Sequence, residues 1–442
     1  MAAIKATPTD GLCYNPSAEL YWDEGALEKE IERVFDICHG CRMCFNLCPS
    51  FPTLFDAVDR HDGDVRKLTA SDERAVADAC YQCKLCYVKC PYTADDGHEF
   101  DLDFPRLMLR YNAQRVRREG VKRREKMLGN PMRLGRMASK GAGLANWANS
   151  TRFHRVAMEK MLGIHRDKLL PEYAKQTFEN WMADRSPAAG ADEEIAFFHT
   201  CFVNFNAPEL GRDAVRVLER NGIRVAKTAQ TCCGMPALDG GDVEFARRQA
   251  RENVRALLPF AAAGKKVVAV NPTCSYMLKK EYAELVGDDM SADARMVAAA
   301  TRDLCEFLSE LRRAKRLDRG FRSTPGEIAY HLPCHLKAQN IGLRSREVMN
   351  TIPGAEVRVV ERCCGHDGTW AMKTENFERS LEIGRPAFEE LGEGGLMTTD
   401  CPLAAVQIEQ ATGVRPLHPV QVLARAYEPD GFPRAVEVEE DA

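Results

Sequence analysis

Sixteen of the eighteen cysteines stand in two spacings, each written twice, and any fold must gather them. Cys38, Cys41, Cys44 and Cys48 follow C-x2-C-x2-C-x3-C with Pro49 next; Cys80, Cys83, Cys86 and Cys90 repeat it with Pro91 next. Cys201, the pair Cys232-Cys233 before Gly234, and Cys274 set a second pattern. Cys334, Cys363-Cys364 before Gly365, and Cys401 repeat it, with gaps of 30 and 28 residues before the pair and 40 and 36 after it.

The rest of the chain fixes how those thiols are used. Its 442 residues are enough for two or three cores, and 45% hydrophobic with 29% charged residues is a globular composition. A net charge of −4 selects no partner. No apolar run reaches the length of a membrane-spanning helix, and the first residues lack the apolar core of a signal peptide. The expected location is the cytoplasm, where thiols at ligand spacing are metal ligands, not disulfides.

The expected architecture is α+β and multidomain: a helical two-cluster ferredoxin-like domain, then two repeated α/β Cys-Cys-Gly units with short parallel sheets. Residues 1–35 are a lead-in with a helix from about Glu24 to Phe35. Residues 36–100 hold the first spacing, with a helix over Arg66–Ala79 that Ser71 and Asp72 can cap. Residues 101–190 are a basic helical linker or platform, broken at Gly129-Asn130-Pro131 and Gly141-Ala142-Gly143, with a boundary at Ser186–Gly190. Residues 191–290 and 327–428 are the two repeats, joined through 291–326 by one connecting helix over Ser291–Arg319; 429–442 is a tail.

Each repeat reads strand, Cys, helix, strand, Cys-Cys-Gly, helix, strand, Cys. The strands are Ile195–His199, Ile223–Lys227 and Val267–Asn271, then Ile328–Leu332, Val357–Glu361 and Gly395–Thr399. The helices are Pro208–Asn221 and Val243–Pro259, then about Leu343–Thr351 and Glu375–Glu390. Alternation of this kind gives parallel strands with helices on both faces, and ligands collect at the strands' carboxyl ends, where all these cysteines fall.

Three cysteines in one turn followed by Cys-Pro is the run that wraps a 4Fe-4S cluster. In two-cluster ferredoxins the fourth Cys serves the other cluster. The spacing therefore assigns Cys38, Cys41, Cys44 and Cys90 to one 4Fe-4S cluster and Cys80, Cys83, Cys86 and Cys48 to another. Zinc prefers two separated C-x2-C pairs and fits this run poorly. In the repeats, adjacent cysteines disfavour a mutual disulfide, and both can ligate a cluster. Cys201, Cys232, Cys233 and Cys274, with Cys334, Cys363, Cys364 and Cys401, are thus candidate ligands of one or two further clusters. Buried structural thiols, a redox disulfide or zinc are the competing readings.

The strings His199-Thr200-Cys201-Phe202-Val203-Asn204, Cys232-Cys233-Gly234-Met235-Pro236, Pro272-Thr273-Cys274, Pro333-Cys334-His335, Cys363-Cys364-Gly365, Asp400-Cys401 and His418-Pro419 carry a resemblance. The chain resembles, over nearly its whole length, the family of iron–sulfur subunits that includes the C subunit of anaerobic glycerol-3-phosphate dehydrogenase. Cysteine-rich heterodisulfide reductase subunits and glycolate- and lactate-oxidation subunits are its relatives. The fuller family motif ends in C-x2-C, but here Met277 and Ala404 stand at the last position. In the heterodisulfide reductase relatives the five-cysteine motif holds a noncubane cluster that breaks a disulfide, so the departure favours an electron relay over disulfide chemistry. His199, His331, His335 and His366 lie beside repeat cysteines. Each can replace the absent thiolate, tune a cluster by hydrogen bonding, or serve the fold alone. Cys13 and Cys305 lie outside both patterns; Cys305, on an apolar face with Leu304 and Leu308, reads as core.

Arg106–Lys140 holds twelve Lys or Arg and two acidic residues. It reads as a solvated helix or a docking surface for an acidic partner. Membrane-associated members of the family invite a peripheral membrane contact, and no motif for nucleic acid accompanies the charge. No flavin- or nicotinamide-binding loop is evident. The resemblance implies an electron-transfer subunit working between a flavoprotein dehydrogenase and an acceptor such as a quinone. A rubrerythrin-like peroxide-reducing partner, a thiol–disulfide reductase and a cluster-based sensor are the alternatives.

Overall fold

The computed structural model describes residues 4–186 and 193–436, so Pro187–Gly190 of the expected boundary lies outside the described residues. The chain forms two compact units. The first takes the chain up to Gly129 with Gly234–Arg248 and Ala283–Ala292; the second takes Asn130–Cys233, Gln249–Tyr282 and the chain from Asp293 on.

The first unit is helical. Its opening helix starts at Asp23, whose carboxylate accepts from the Ala26 amide, and runs over Glu24–Cys41, past the expected end into the first cysteine loop. Leu27, Ile31, Val34 and Phe35 face a core shared with Phe51, Leu54, Phe55, Val76 and Phe104. The helix before the second loop is Ala70–Ala79. Thr69 caps it, not Ser71; Asp72 closes a capping box from the third helical position, and Val65–Lys67 is a separate 3-10 turn.

The basic stretch is not one solvated platform. Its helix Phe104–Glu119 is buried from Phe104 to Gln114 except at Arg106. Leu107, Met108 and Tyr111, one turn apart, enter the first unit's core. Arg110 is buried too, its guanidinium donating to the carbonyls of Gly11, Leu20 and Tyr21. Further helices cover Arg123–Leu128 in this unit and Pro131–Lys140, Ala142–Ser150 and Arg152–Leu162 in the second. An additional break falls at 120–122, where Gly120 at φ 80° ends the first helix.

The second unit carries the strands. In chain order they are β1 (Glu193–Phe198), β2 (Ile223–Lys227), β3 (Val267–Ala269), β4 (Thr301–Asp303), β5 (Ser323–Thr324), β6 (Glu327–His331), β7 (Glu356–Val360), β8 (Leu396–Thr399) and β9 (Arg434–Ala435). One parallel sheet has the order β2-β1-β3-β4, with Ile195 opposite Val225 and Val268 opposite Arg302. The other, also parallel, has the order β7-β6-β8, with Tyr330 between Val359 and Thr398. Strands β5 and β9 form a short antiparallel pair. Ile195 and Val268 of the first repeat share one core with Ile328, Tyr330 and Val420 of the second. The helix Pro208–Arg220 shows why the repeat forms: Pro208 opens it, Leu210, Ala214, Val217 and Leu218 bury one face, and Gly222 at φ 73° turns the chain into β2.

The expected connecting helix over Ser291–Arg319 is interrupted. Helix Asp288–Ala300 gives way to β4, and helix Leu304–Arg313 follows. Asp303 ends the strand and caps that helix in a capping box with Glu306, so the backbone there must leave the helical region. The first repeat's sheet therefore has a fourth strand.

Candidate metal centres

In the first unit the thiols form two sets. Burial pushes the Cys38 thiol well above its ordinary pKa, and Cys44, Cys90 and Cys41 push it further. Burial does the same to Cys86, helped by Cys83, Cys48, Cys80 and Cys44. Cys48 thus stands with Cys80, Cys83 and Cys86, and Cys90 with Cys38, Cys41 and Cys44. Cys44, itself raised to about 11 by burial, lies within electrostatic reach of Cys86, so the sets adjoin. The loops curl because three non-glycine residues between the cysteines take positive φ: Arg42 at 51°, Gln82 at 58° and Lys84 at 64°. Such backbone is costly and persists where the surroundings hold it. Gln82 and Lys84 are buried. The Gln82 amide donates to the Cys80 sulfur (3.4 Å) and the Pro105 carbonyl (3.2 Å), and accepts from Lys84 Nζ at 2.8 Å. Spacing alone marks neither residue.

In the first repeat the strand ends bring four thiols together. The Cys201 sulfur lies 4.0 Å from that of Cys232. Cys232 and Cys274 both touch Cys233, which these contacts and burial hold well above the usual thiol range. The Cys-Cys backbone is clamped from behind. Asn253 Nδ2 donates to the Cys232 carbonyl at 2.9 Å, and the Tyr282 hydroxyl donates to the Cys233 carbonyl at 3.0 Å. Asn253 and Tyr282 are fully buried. Met277, at the place of the fifth thiolate, is fully buried and begins the π-helical turn Met277–Glu281.

In the second repeat Cys364 faces Cys363 and Cys401; burial is the main cause of its strongly raised pKa. Cys334 heads the short helix after β6. Backbone amides point at the sulfurs: Gly365 N–H at Cys363 (3.3 Å) and Ala404 N–H at Cys401 (3.4 Å). Ala404 stands at the other fifth-thiolate place. A residue from outside the repeat also enters. Lys168 is 2% exposed, within electrostatic reach of Cys364, and donates to Gln407 Oε1. Its segment is laid along the second repeat by an Ile164–Lys373 bridge and by His165 stacked 4.0 Å from Phe377.

The two repeat sets meet at Cys274 and Cys401, which lie within electrostatic reach. Beside them is a buried acidic pair. Asp303 accepts from Ser275 Oγ at 3.1 Å, and Asp400 accepts from the Tyr330 and Ser345 hydroxyls at 2.6 and 2.5 Å. Burial and Asp400 raise Asp303 to about 8. Cys305 is buried as expected, with carboxylates of this pair as neighbours. Of the flagged histidines, His199 faces Glu179 at 3.4 Å, His335 bonds Thr273 Oγ1 at 2.9 Å, and His331 bonds Thr399 Oγ1 at 3.0 Å. His366 has no partner on either ring nitrogen among the described residues.

This donor set fits iron–sulfur clusters. Crowded buried thiols suppress one another's ionisation, and bound iron is what makes them thiolates. Amide N–H groups aimed at sulfur stabilise the resulting negative charge.

The comparisons agree with the geometry. Residues 30–91 match the 4Fe-4S dicluster domain, and residues 195–279 and 328–409 match the Cysteine-rich domain. The C subunit of anaerobic glycerol-3-phosphate dehydrogenase from Escherichia coli (strain K12) is 35% identical over 301 residues, covering 66% of this chain and 74% of that protein. Lactate utilization protein A of Geobacillus kaustophilus is 30% identical over 218 residues, 47% of this chain and 87% of that one. The B subunit of fumarate reductase (CoM/CoB) from Methanothermobacter marburgensis is 27% identical over 237 residues, 52% and 44% respectively. Iron–sulfur clusters and a role in electron transfer follow for this chain.

Proposed function

Given that the chain belongs to the family of iron–sulfur subunits containing the C subunit of anaerobic glycerol-3-phosphate dehydrogenase, we propose that it relays electrons between a partner flavoprotein dehydrogenase and an acceptor such as a quinone. The observation that carries this reading is the adjacency of thiol sets within each unit, Cys44 beside Cys86 and Cys274 beside Cys401. Cys38, Cys41, Cys44 and Cys90 hold one 4Fe-4S cluster, and Cys80, Cys83, Cys86 and Cys48 hold the other. Cys201, Cys232, Cys233 and Cys274, with Cys334, Cys363, Cys364 and Cys401, hold one or two more. When bound, these groups supply one-electron transfer. The chain's residues fix the ligands and donate hydrogen bonds to sulfur, as Gln82 does at Cys80. Met277 and Ala404 leave each repeat without the thiolate that the disulfide-cleaving relatives use.

The chain also contacts a membrane peripherally in this reading, through helices of 131–162. No helix of the described residues is long and apolar enough to cross one.

Iron and acid-labile sulfide counted on anaerobically purified chain, with low-temperature EPR, test the assignment. The expected count exceeds the about eight irons of two 4Fe-4S clusters, and the excess falls in Cys233→Ala and Cys364→Ala. About eight irons in the intact chain would remove the repeat clusters. Reduction of a small disulfide by the isolated chain with an artificial donor would replace the relay with an enzyme.

A further inference from the structure

The second repeat differs from the first directly after its glycine, where His366 stands in place of Met235. The His366 side chain is 5% exposed, and neither Nδ1 nor Nε2 has a hydrogen-bond partner among the described residues. A buried polar group left unpaired is costly, so such an imidazole points to a partner that the protein alone does not provide. Its place names that partner. The His366 amide lies against the Cys364 sulfur, and its carbonyl accepts from the Ala371 amide at 3.3 Å, which ties the loop down beside the thiols. His199, His331 and His335 each already use a ring nitrogen within the fold.

A second observation points the same way. The Lys168 ammonium reaches both Cys364 and His366 and is almost fully buried, yet its hydrogen-bond acceptor is the neutral amide of Gln407. Among the described residues no carboxylate pairs with it. A buried cation needs a counter-charge, and thiolates on iron supply one next to it.

We propose that His366 ligates, through a ring nitrogen, the iron–sulfur cluster held by Cys334, Cys363, Cys364 and Cys401, in place of a fifth thiolate, with Lys168 as its buried counter-charge. This rests on the reading that the second repeat holds a cluster. The bond uses the lone pair of one ring nitrogen, while the other nitrogen keeps its proton. A neutral donor where relatives use an anionic one, together with a cation beside it, raises the reduction potential. The second repeat is then the electron-accepting end of the pair.

Chain carrying 15N-labelled histidine, purified anaerobically and studied by pulsed EPR with a redox titration, tests this. Wild type should show the hyperfine coupling of a nitrogen bound to iron, and His366→Ala should lose it while keeping the signals of the N-terminal clusters. His366→Cys should keep the iron count without the nitrogen coupling and titrate at lower potential. Lys168→Met should keep the coupling and also shift downward. Iron beyond about eight, lost in Cys364→Ala but showing no nitrogen coupling, overturns the ligand and leaves the cluster reading standing. A coupling that survives His366→Ala, or a potential unmoved by Lys168→Met, overturns the corresponding residue's role. No iron beyond that of the N-terminal clusters overturns both readings together.

Discussion

Gly365 shows how tightly the second Cys-Cys-Gly loop is built. It sits at φ +68°, and a Cβ there would stand 1.9 Å from the Ser380 carbonyl oxygen and 3.2 Å from the Gly384 amide. Both obstacles are backbone of the helix Phe377–Gly392, so neither can swing aside. Gly365→Ala should cost about 2–3 kcal/mol or more from strain and overlap and strip iron from the second repeat alone. Gly143, in the helix Ala142–Ser150 with nothing within 4 Å of its Cβ position, is the control. Gly143→Ala should be neutral or stabilising by about 0.5–1 kcal/mol. Iron counts and melting curves compare the two, and equal effects would refute the argument. The same contrast explains what the residues disclose in sequence. Cysteines announce themselves because their spacing is local or repeated. Lys168 does not, because the Gln407 that receives its hydrogen bond lies 239 residues away. Gln82 does not, because its use depends on a positive φ that no side-chain pattern encodes.

At the scale of elements, β4 matters most for the repeat sites, since it delivers Asp303 to the buried acidic pair. Burial and then Asp400 raise Asp303 from its ordinary 3.8 to about 8. The folded chain therefore holds a proton that the unfolded chain releases above pH 4. Stability from this group is full below the unfolded value and declines as pH climbs towards 8, by at most about 1.4 kcal/mol per pH unit. Asp303→Asn keeps a good cap for Leu304–Arg313 and has no proton to lose. It should flatten that slope between pH 5 and 8 relative to wild type in denaturant titrations, and parallel slopes would refute the buried-pair account. Four of the six repeat strands were legible within a residue at both ends because β-branched runs sit between helices and cysteines, while β1 begins two residues earlier than expected, at Glu193. β3 stops earlier, at Ala269, since Asn271 turns to cap the next helix. β4 was hidden in an Ala-rich stretch that looks helical throughout. Its signal was present in Asp303-x-x-Glu306, a capping box that requires a new helix to begin there.

For the molecule as a whole, sixteen cysteines in four sets make up the interior of the proposed relay, and the surface must account for its docking. Basic charge is densest over Arg106–Lys140, but the first helix of that stretch is committed to the first unit's core. The second unit instead exposes Met137, Leu144, Trp147, Phe153 and Met161 on three short consecutive helices, each of the five more than half exposed. Exposed large apolar side chains gathered over so short a segment mark an interaction surface. The charges around them choose the partner. Arg133, Arg136, Lys140, Arg152 and Lys160 are exposed there, and no Asp or Glu occurs between Lys126 and Met158. Glu159 is already paired with Arg166. Apolar side chains amid cations suit the membrane contact proposed above: on an anionic lipid surface the former would enter the headgroup boundary and the latter would meet phosphate. Sequence periodicity missed this because the apolar positions fall on three helices with breaks between them, and a stripe is sought along one. Co-sedimentation with phosphatidylglycerol-containing vesicles measures it. Trp147→Ala with Phe153→Ala should weaken binding at least about tenfold, since each ring contributes roughly 1.5–3 kcal/mol when buried. Added salt or purely zwitterionic vesicles should weaken it further. Binding that ignores the double substitution would place the docking surface elsewhere and leave these five side chains for a protein partner.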